Sequence, residues 1–413
     1  MGVFVAGAAL ALCALAPASA VAQDDAWAQG ALGDQYELAS DLGLRNAPWV
    51  GTHNSFNSVA EMGPTLSVQD SNQRIDLVSQ LERGIRSLEL DLHWFLHVPS
   101  ASFRPVVCHA TGEHFGCTVE KPLGPVLEEI GNWLRLPENA GQVLLLYLED
   151  HLDTEEGYDT GAAEVEAELG DLLYRPPAGG CTELPLDLTR DHIRAAGAQV
   201  LIVSGCGIGA AWPAVAHSWA SHVESRPFSY QDFPDCGPDY DRATYDATIV
   251  RYYEDSTQLT ATAGNPDDGI TPETAAAMAR CGVDLIGLDQ VEAAGDPRLG
   301  ALVWSWAEDQ PNRGGCALAK VSAAEPHGRW FSRRCRLPRS VACLRDGGWL
   351  ALKGRVPVDR AAKRCGRRDA EWAAPRTGHE MQLLRLELER RGLTKAWIGY
   401  RRIDGDWVPQ DQR

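Results

Sequence analysis

The chain has 413 residues, 44% of them hydrophobic, which is enough for a large buried core divided over two domains. Its formal net charge of −19 does not suit a nucleic-acid binder. Beyond the N-terminus no stretch is long and apolar enough to cross a bilayer as a helix.

Residues 1–20 read as a secretory signal peptide. Val3 to Ala16 is almost wholly apolar, and Ala18-Ser19-Ala20 is a small-residue cleavage pattern, although a positive n-region is missing. Cysteine usage agrees with export. Of 11 cysteines, Cys13 lies in this segment, and the even set that remains suits disulfides in an oxidising compartment. No Cys-x-x-Cys pair occurs, so a zinc site is not expected. The expectation is a secreted protein, extracellular or periplasmic, and a monomer. Charge divides the chain further. Residues 309–413 hold 23 Lys and Arg against 12 Asp and Glu, a net of +11, which leaves −30 for the rest. A break of this size predicts a boundary near residue 309, with one domain over 21–308 and a small basic one over 309–413. The basic part is expected either to face anionic lipid or to dock on the acidic part.

Between residues 45 and 308, short apolar runs alternate with helix-like segments. The predicted strands are Ala47–Gly51, Ile85–Leu92, Pro105–Cys108, Val143–Leu148, Val200–Ser204, Ala247–Tyr252, Leu285–Leu288 and Leu302–Trp306. Continuous apolar runs of this kind suit parallel strands buried on both faces. Predicted helices lie between them at Leu77–Arg83, Pro125–Leu134, Ala162–Leu173 and Pro272–Cys281. The last opens Thr271-Pro272, a capping residue followed by Pro at the first helical position. The alternation predicts an α/β fold, a TIM-type (β/α)8 barrel, followed by a small disulfide-bonded α+β domain.

Barrel enzymes carry their chemistry at the C-terminal ends of strands. Polar residues gather at those points here: His53 and Asn54, then Glu89 and Asp91, His109, Glu149 and Asp150, Arg251 with Glu254 and Asp255, and finally Asp289. Asn54, Glu89, Asp91 and Glu149 all offer oxygen, the ligand type that a hard cation such as calcium takes. Strand alternation puts Glu89 and Asp91 on one side of their strand and turns Cys108 away from His109, which argues against zinc or copper. The two histidines add what phosphodiester cleavage needs, an acid or base and charge stabilisation for phosphoryl oxygens.

At these residues the chain resembles the catalytic barrel of phosphatidylinositol-specific phospholipase C. The matching stretches are Gly51-Thr-His-Asn-Ser55, Gly84-Ile-Arg-Ser-Leu-Glu-Leu-Asp91, Val106-Val-Cys-His109 and Leu144-Leu-Leu-Tyr-Leu-Glu-Asp-His151. His53-Asn54 with Glu89-x-Asp91 and Glu149 resembles the calcium-dependent type; the metal-free type has Asp after its first His. The resemblance implies Ca2+ held by Asn54, Glu89, Asp91 and Glu149. It implies His53 as the group stabilising the transition state, His109 as the acid for the leaving oxygen, and Glu89 as a base. Arg251, Tyr253 and Asp289 are expected on the substrate side. The implied substrate is a phospholipid at a membrane surface. Relatives that cleave polyphosphoinositides carry lysines after the fifth strand, and Leu201-Ile-Val-Ser-Gly205 has none, so unphosphorylated phosphatidylinositol is expected. The alternatives are a glycerophosphodiester phosphodiesterase, whose usual His-Arg-Gly differs from His53-Asn54-Ser55, and a non-catalytic surface binding protein.

Residues 309–413 hold Cys316, Cys335, Cys343 and Cys365 among many tryptophans. Gln310-Pro-Asn312 and Gly328-Arg-Trp330, then Trp397-Ile-Gly-Tyr400, resemble a C-type lectin domain with its halves in reversed order. The resemblance implies the pairs Cys316–Cys335 and Cys343–Cys365, and glycan binding. Trp330-Phe331-Ser332 stands where sugar-binding lectins carry Trp-Asn-Asp, so a brace for the barrel is the other role expected.

Overall fold

The computed structural model describes residues 18–62, 71–110, 117, 121–219, 223–225, 248–258 and 269–410. The expected signal stretch Val3 to Ala16 lies outside the described residues. The chain runs through α1 (Ala18–Leu38), β1 (Trp49–Thr52), α2 (Val59–Met62), α3 (Leu77–Glu82), β2 (Ser87–His97), β3 (Ser102–Val107), β4 (Lys121–Pro122), α4 (Leu123–Leu134) and β5 (Leu144–His151). It continues as α5 (Glu155–Leu169), α6 (Arg190–Ala195), β6 (Val200–Ser204), β7 (His217–Ser218), β8 (Val223–Ser225), β9 (Ile249–Tyr253), α7 (Pro272–Cys281), β10 (Leu285–Leu288) and α8 (Pro297–Leu302).

The strands form one ten-stranded sheet whose main row is β7-β6-β5-β2-β1-β10-β9-β8. Every pairing along that row is parallel. The row begins and ends on strands adjacent in sequence, as in a TIM-type barrel, here a distorted one. Inside it pack Trp49, Val143, Leu145, Leu201, Val203, Ile249 and Leu285. Helix ends follow local chemistry. The Thr154 hydroxyl accepts from Gly157 N at 3.0 Å to start α5, and Thr271 with Thr274 forms a capping box on α7.

Two expected parallel strands turn out differently. The apolar run Pro105–Cys108 belongs to β3, which is antiparallel to the overhanging end of β2. Apolar content reports burial, not strand direction, so the run reads alike in either case. The run Leu302–Trp306 is not a strand: Leu302 ends α8, and the following residues are a buried connection. Trp304 and Trp306 meet Trp330 edge-on at 5.5 and 5.7 Å, so this run is apolar because it is sandwiched between two units.

The second unit consists of β11 (Cys316–Ser322), β12 (Glu325–Arg333), β13 (Arg339–Arg345), β14 (Gly348–Val356), α9 (Ala361–Gly366), α10 (Gly378–Arg390), β15 (Lys395–Ile403) and β16 (Asp406–Pro409). Its six-stranded sheet runs β12-β11-β15-β13-β14, with β16 on β15. Cys316–Cys335 and Cys343–Cys365 are bonded, the pairs that the lectin resemblance implies. Cys108–Cys117 and Cys181–Cys206 staple the barrel loops. Among the described residues, no helix is long and apolar enough to cross a membrane.

One hydrophobic cluster runs through both units, from Leu88 and Leu146 to Trp330, Met381 and Tyr400. Gln35 of α1 clips the connection, its Oε1 accepting from Trp304 N at 2.8 Å and Ser305 N at 3.1 Å. Arg376 reaches Asp41 at 3.1 Å. Gly378 sits so close to α7 that a Cβ there would lie 2.5 Å from the carbonyl oxygen of Ala279.

Candidate active site

Strand register assembles the site. Gly51 of β1 is level with Ser87 of β2 and with Gly287 of β10. Two residues further along each strand, alternation brings His53 beside Glu89 and Asp289 on the inner face. Asp91 is level with Glu149 of β5, and Glu89 with Tyr147. One layer at the C-terminal end of the sheet therefore carries Asp289, His53, Glu89, Asp91 and Glu149.

Glu89, Asp91 and Glu149 each offer an oxygen, and the three oxygens lie within 4.8 Å of one another. Glu89 and Asp91 are buried, whereas the Glu149 side chain is 42% exposed. Burial, reinforced by Glu149, pushes the Glu89 carboxyl up to about 7 against the pull of His53. Burial also raises Asp91 well above its usual range, with Glu89 and Glu149 adding to it. Carboxylates gathered this tightly call for a cation or for protons. Asn54 completes the set. Its φ of 41° lies in the left-handed region that Asn tolerates, and its backbone N–H donates to Glu89 Oε2 at 3.4 Å. One end of its amide lies 3.0 and 3.1 Å from the two Asp91 oxygens. With nitrogen at that end the amide donates to Asp91 and its oxygen accepts from His109 Nε2 at 3.3 Å. With oxygen there it joins the carboxylates, and its nitrogen donates to Asn72 Oδ1 at 3.3 Å. The residues present therefore fit an oxygen-ligated divalent cation. A second cluster, His93 with Cys108 and Cys117, does not fit a metal, since its cysteines are joined to each other.

His53 is held from two sides. Its Nδ1 lies 3.3 Å from Asp289 Oδ2, its Nε2 lies 4.0 Å from Glu89 Oε2, and its ring stacks on Tyr253 at 5.6 Å. Burial pulls the imidazolium down, but Asp289 and Glu89 outweigh it and push the pKa up to about 10. His109 is exposed at the end of β3. The Asn57 amide spends one hydrogen on Asn72 Oδ1 at 2.7 Å and the other on His109 Nδ1 at 3.1 Å. That contact makes Nδ1 the acceptor and leaves the proton on Nε2.

The Rv2075c PI-PLC-like domain model matches residues 11–294. The chain belongs to this family. It is 40% identical over 390 residues to the uncharacterized protein Rv2075c of Mycobacterium tuberculosis, covering 89% of this chain and 78% of that one. Solved structures similar to it include the phosphatidylinositol-specific phospholipase C of Listeria monocytogenes, at 16% identity and a TM-score of 0.43 over 63% of this chain and 94% of that one. A calcium-dependent phosphoinositol-specific phospholipase C from a Pseudomonas species aligns at 13% identity and a TM-score of 0.34, covering 62% of this chain and 94% of that one.

Within this PI-PLC-like domain, His53, Asn54, Glu89, Asp91, His109 and Glu149 converge on one mouth. Arg251 lies among the rings of Trp219, Tyr253 and Tyr147, at 4.9, 5.2 and 5.6 Å. Asp289, expected on the substrate side, is placed otherwise. It is fully buried, and its oxygens accept from Ser256 N at 2.6 Å and from Asn72 and Gln73 at 3.2 Å. It stands beside His53 on the neighbouring strand, closed off from the mouth by the segments that carry Asn72, Gln73 and Ser256. The polar layer beneath the site escapes a reading of strand ends. Asn57, Asn72 and Gln73 lie outside the strands, and nothing in Ser71-Asn-Gln73 distinguishes it from a solvated loop. Gln73 Nε2 nevertheless donates to the carbonyls of His53 and Leu288, both at 2.8 Å.

Proposed function

We propose that this protein is a secreted, calcium-dependent phospholipase C that cleaves phosphatidylinositol to diacylglycerol and an inositol cyclic phosphate. One observation carries the reading: a trio of carboxylates, two of them buried, flanked by a histidine held cationic and a histidine held as a proton donor. A bound Ca2+ would supply charge neutralisation at the phosphate and acidify an attacking hydroxyl. Asn54, Glu89, Asp91 and Glu149 would hold it. The chain's own groups account for the rest. Glu89, next to the mouth, takes the proton of the inositol 2-hydroxyl, whose oxygen attacks phosphorus. The His53 imidazolium donates to a non-bridging phosphoryl oxygen as charge builds there. The bond from phosphorus to the glycerol oxygen breaks, and the His109 Nε2 proton goes to that oxygen. Asp289 keeps His53 charged and oriented. Arg251 and Tyr253 line the inositol side.

The expected substrate is phosphatidylinositol rather than its bisphosphate. The run Val200–Ser204 is buried as β6, and Gly205 N donates to Asp150 Oδ1 at 3.1 Å, so this segment offers no cation for ring phosphates. The test is product analysis on vesicles of each lipid, with and without a calcium chelator. Diacylglycerol and inositol cyclic phosphate, lost in chelator, are expected. Full activity in chelator overturns the metal assignment. Release of phosphatidic acid, or of glycerol phosphate from deacylated lipid alone, overturns the reaction type.

A further inference from the structure

The second unit carries a net positive charge, and it does not spread that charge evenly. A concavity of about 530 Å3 lies among β13, β14, α9 and the end of α10. Its basic lining is Arg345, Lys353, Arg364, Arg367, Arg368 and Arg391, its other lining residues are Leu350, Ala351 and Leu352, and among the described residues no acidic one lines it. Arg391 is paired, its Nε donating to Glu387 Oε1 at 2.9 Å, and exposed Arg345 has Asp346 at 3.9 Å. Lys353, Arg364, Arg367 and Arg368 have no carboxylate within 4.0 Å among the described residues.

The cluster is held in place. Arg364, Arg367 and Arg368 are three and four residues apart, which brings them to one face of α9 and its first following turn. The Cys343–Cys365 disulfide ties that helix to β13, which also carries Arg345. Arg364 Nη2 donates to the carbonyl of Lys353, and Arg345 Nη1 donates to that of Arg368 at 3.4 Å. Unpaired cations facing one cavity repel each other, a cost that a multiply charged anion reverses. Guanidinium forks match phosphate oxygens two at a time, and several forks around one cavity suit several phosphates. The volume lies within the roughly 300–1,000 Å3 range of small-ligand pockets.

We propose that this concavity is a second binding site, separate from the barrel mouth, for a ligand that carries several phosphate groups. Those groups come from a soluble polyphosphate or from headgroups clustered on an anionic lipid surface. The site does not depend on the reaction assigned to the barrel.

The test uses the full chain and inorganic tripolyphosphate, titrated calorimetrically at 0.15 M salt, a condition under which scattered surface charges are screened beyond about 8 Å. The variant R367Q/R368Q removes two cations that support no other side chain. The control R313Q/R336Q removes two exposed arginines outside the concavity. Tripolyphosphate affinity is expected to fall at least tenfold in the first and less than twofold in the second. Equal losses in both, or no binding by the unaltered protein at millimolar tripolyphosphate, overturn the proposal. Sedimentation with phosphatidylglycerol vesicles names the source. Vesicle binding that R367Q/R368Q weakens and tripolyphosphate displaces assigns the site to headgroups; vesicle binding untouched by the variant assigns it to a soluble ligand. Cleavage of phosphatidylinositol dispersed in detergent is expected to be unchanged in both variants, which keeps this test apart from that of the barrel.

Discussion

Single side chains at the mouth have their charge state set by their neighbours, and changing one exposes that dependence. Asp289→Asn keeps the shape beside His53 and removes the charge. The His53 resonance is then expected to titrate well below its present value of about 10, with activity at neutral pH falling tenfold or more. Asp91→Asn is expected to lower activity at least about a hundredfold, in line with several kcal/mol of lost charge stabilisation, and to raise the melting temperature of the calcium-free protein. A variant that fails to fold would assign Asp91 a structural role. The pH dependence has a definite sign. Glu89 is raised from 4.5 to about 7, so without metal its contribution to stability is lost as pH climbs through 7. His53 is raised from 6.5 to about 10, so its contribution is full below 6.5 and is lost toward 10. Calcium-free protein should therefore melt lower at pH 8.5 than at pH 6. Added calcium should raise the melting temperature more at pH 8.5, because it must displace protons at pH 6. A larger calcium effect at pH 6 would refute the assignment of these carboxylates as ligands.

Among the elements, β9 and β10 depend on each other through a glycine. Tyr253 lays its ring over Gly287, and a Cβ at that position would overlap the ring. The same ring supports His53. Gly287→Ala is expected to destabilise the protein by about 1–3 kcal/mol through overpacking, and to lower activity by moving His53. Chemical denaturation and turnover measured on the same preparation check both parts. A stable variant with normal turnover would mean that Tyr253 has room to move. Thr154 and Thr271 act more modestly, each satisfying an N-terminal N–H that a helix leaves open.

The whole molecule is joined through Trp330, which is fully buried against Trp304, Trp306 and Tyr400. Trp330→Ala is expected to cost about 3–5 kcal/mol and to destabilise the barrel along with the second unit. A single unfolding transition shifted for probes in both units is the expected result. Loss of the second unit alone, with the barrel transition unmoved, would show that the two fold separately. Apolar packing makes most of this junction, with the Arg376–Asp41 ion pair at its edge. Arg280 of α7 faces Arg329 and Arg385 across it, and burial together with those two cations lowers its pKa.

Local pattern in the sequence settled the repeating strands and helices, because burial on both faces leaves continuous apolar runs and helix caps have fixed chemistry. It also singled out His53, Asn54, Glu89, Asp91, His109 and Glu149, since each stands at or near the end of a strand. It did not determine which strand lies beside which. Register alone brings Glu149 to Asp91 and Asp289 to His53, and the segments carrying Asn72, Gln73 and Ser256 then close over Asp289. Nor did it separate a strand from a buried connection: Leu302–Trp306 is apolar for a reason that exists only once a second sheet covers it. Asn57, Asn72 and Gln73 were illegible for the same cause. A polar residue outside any strand looks solvated until the tertiary structure closes over it and makes its hydrogen bonds the only ones available.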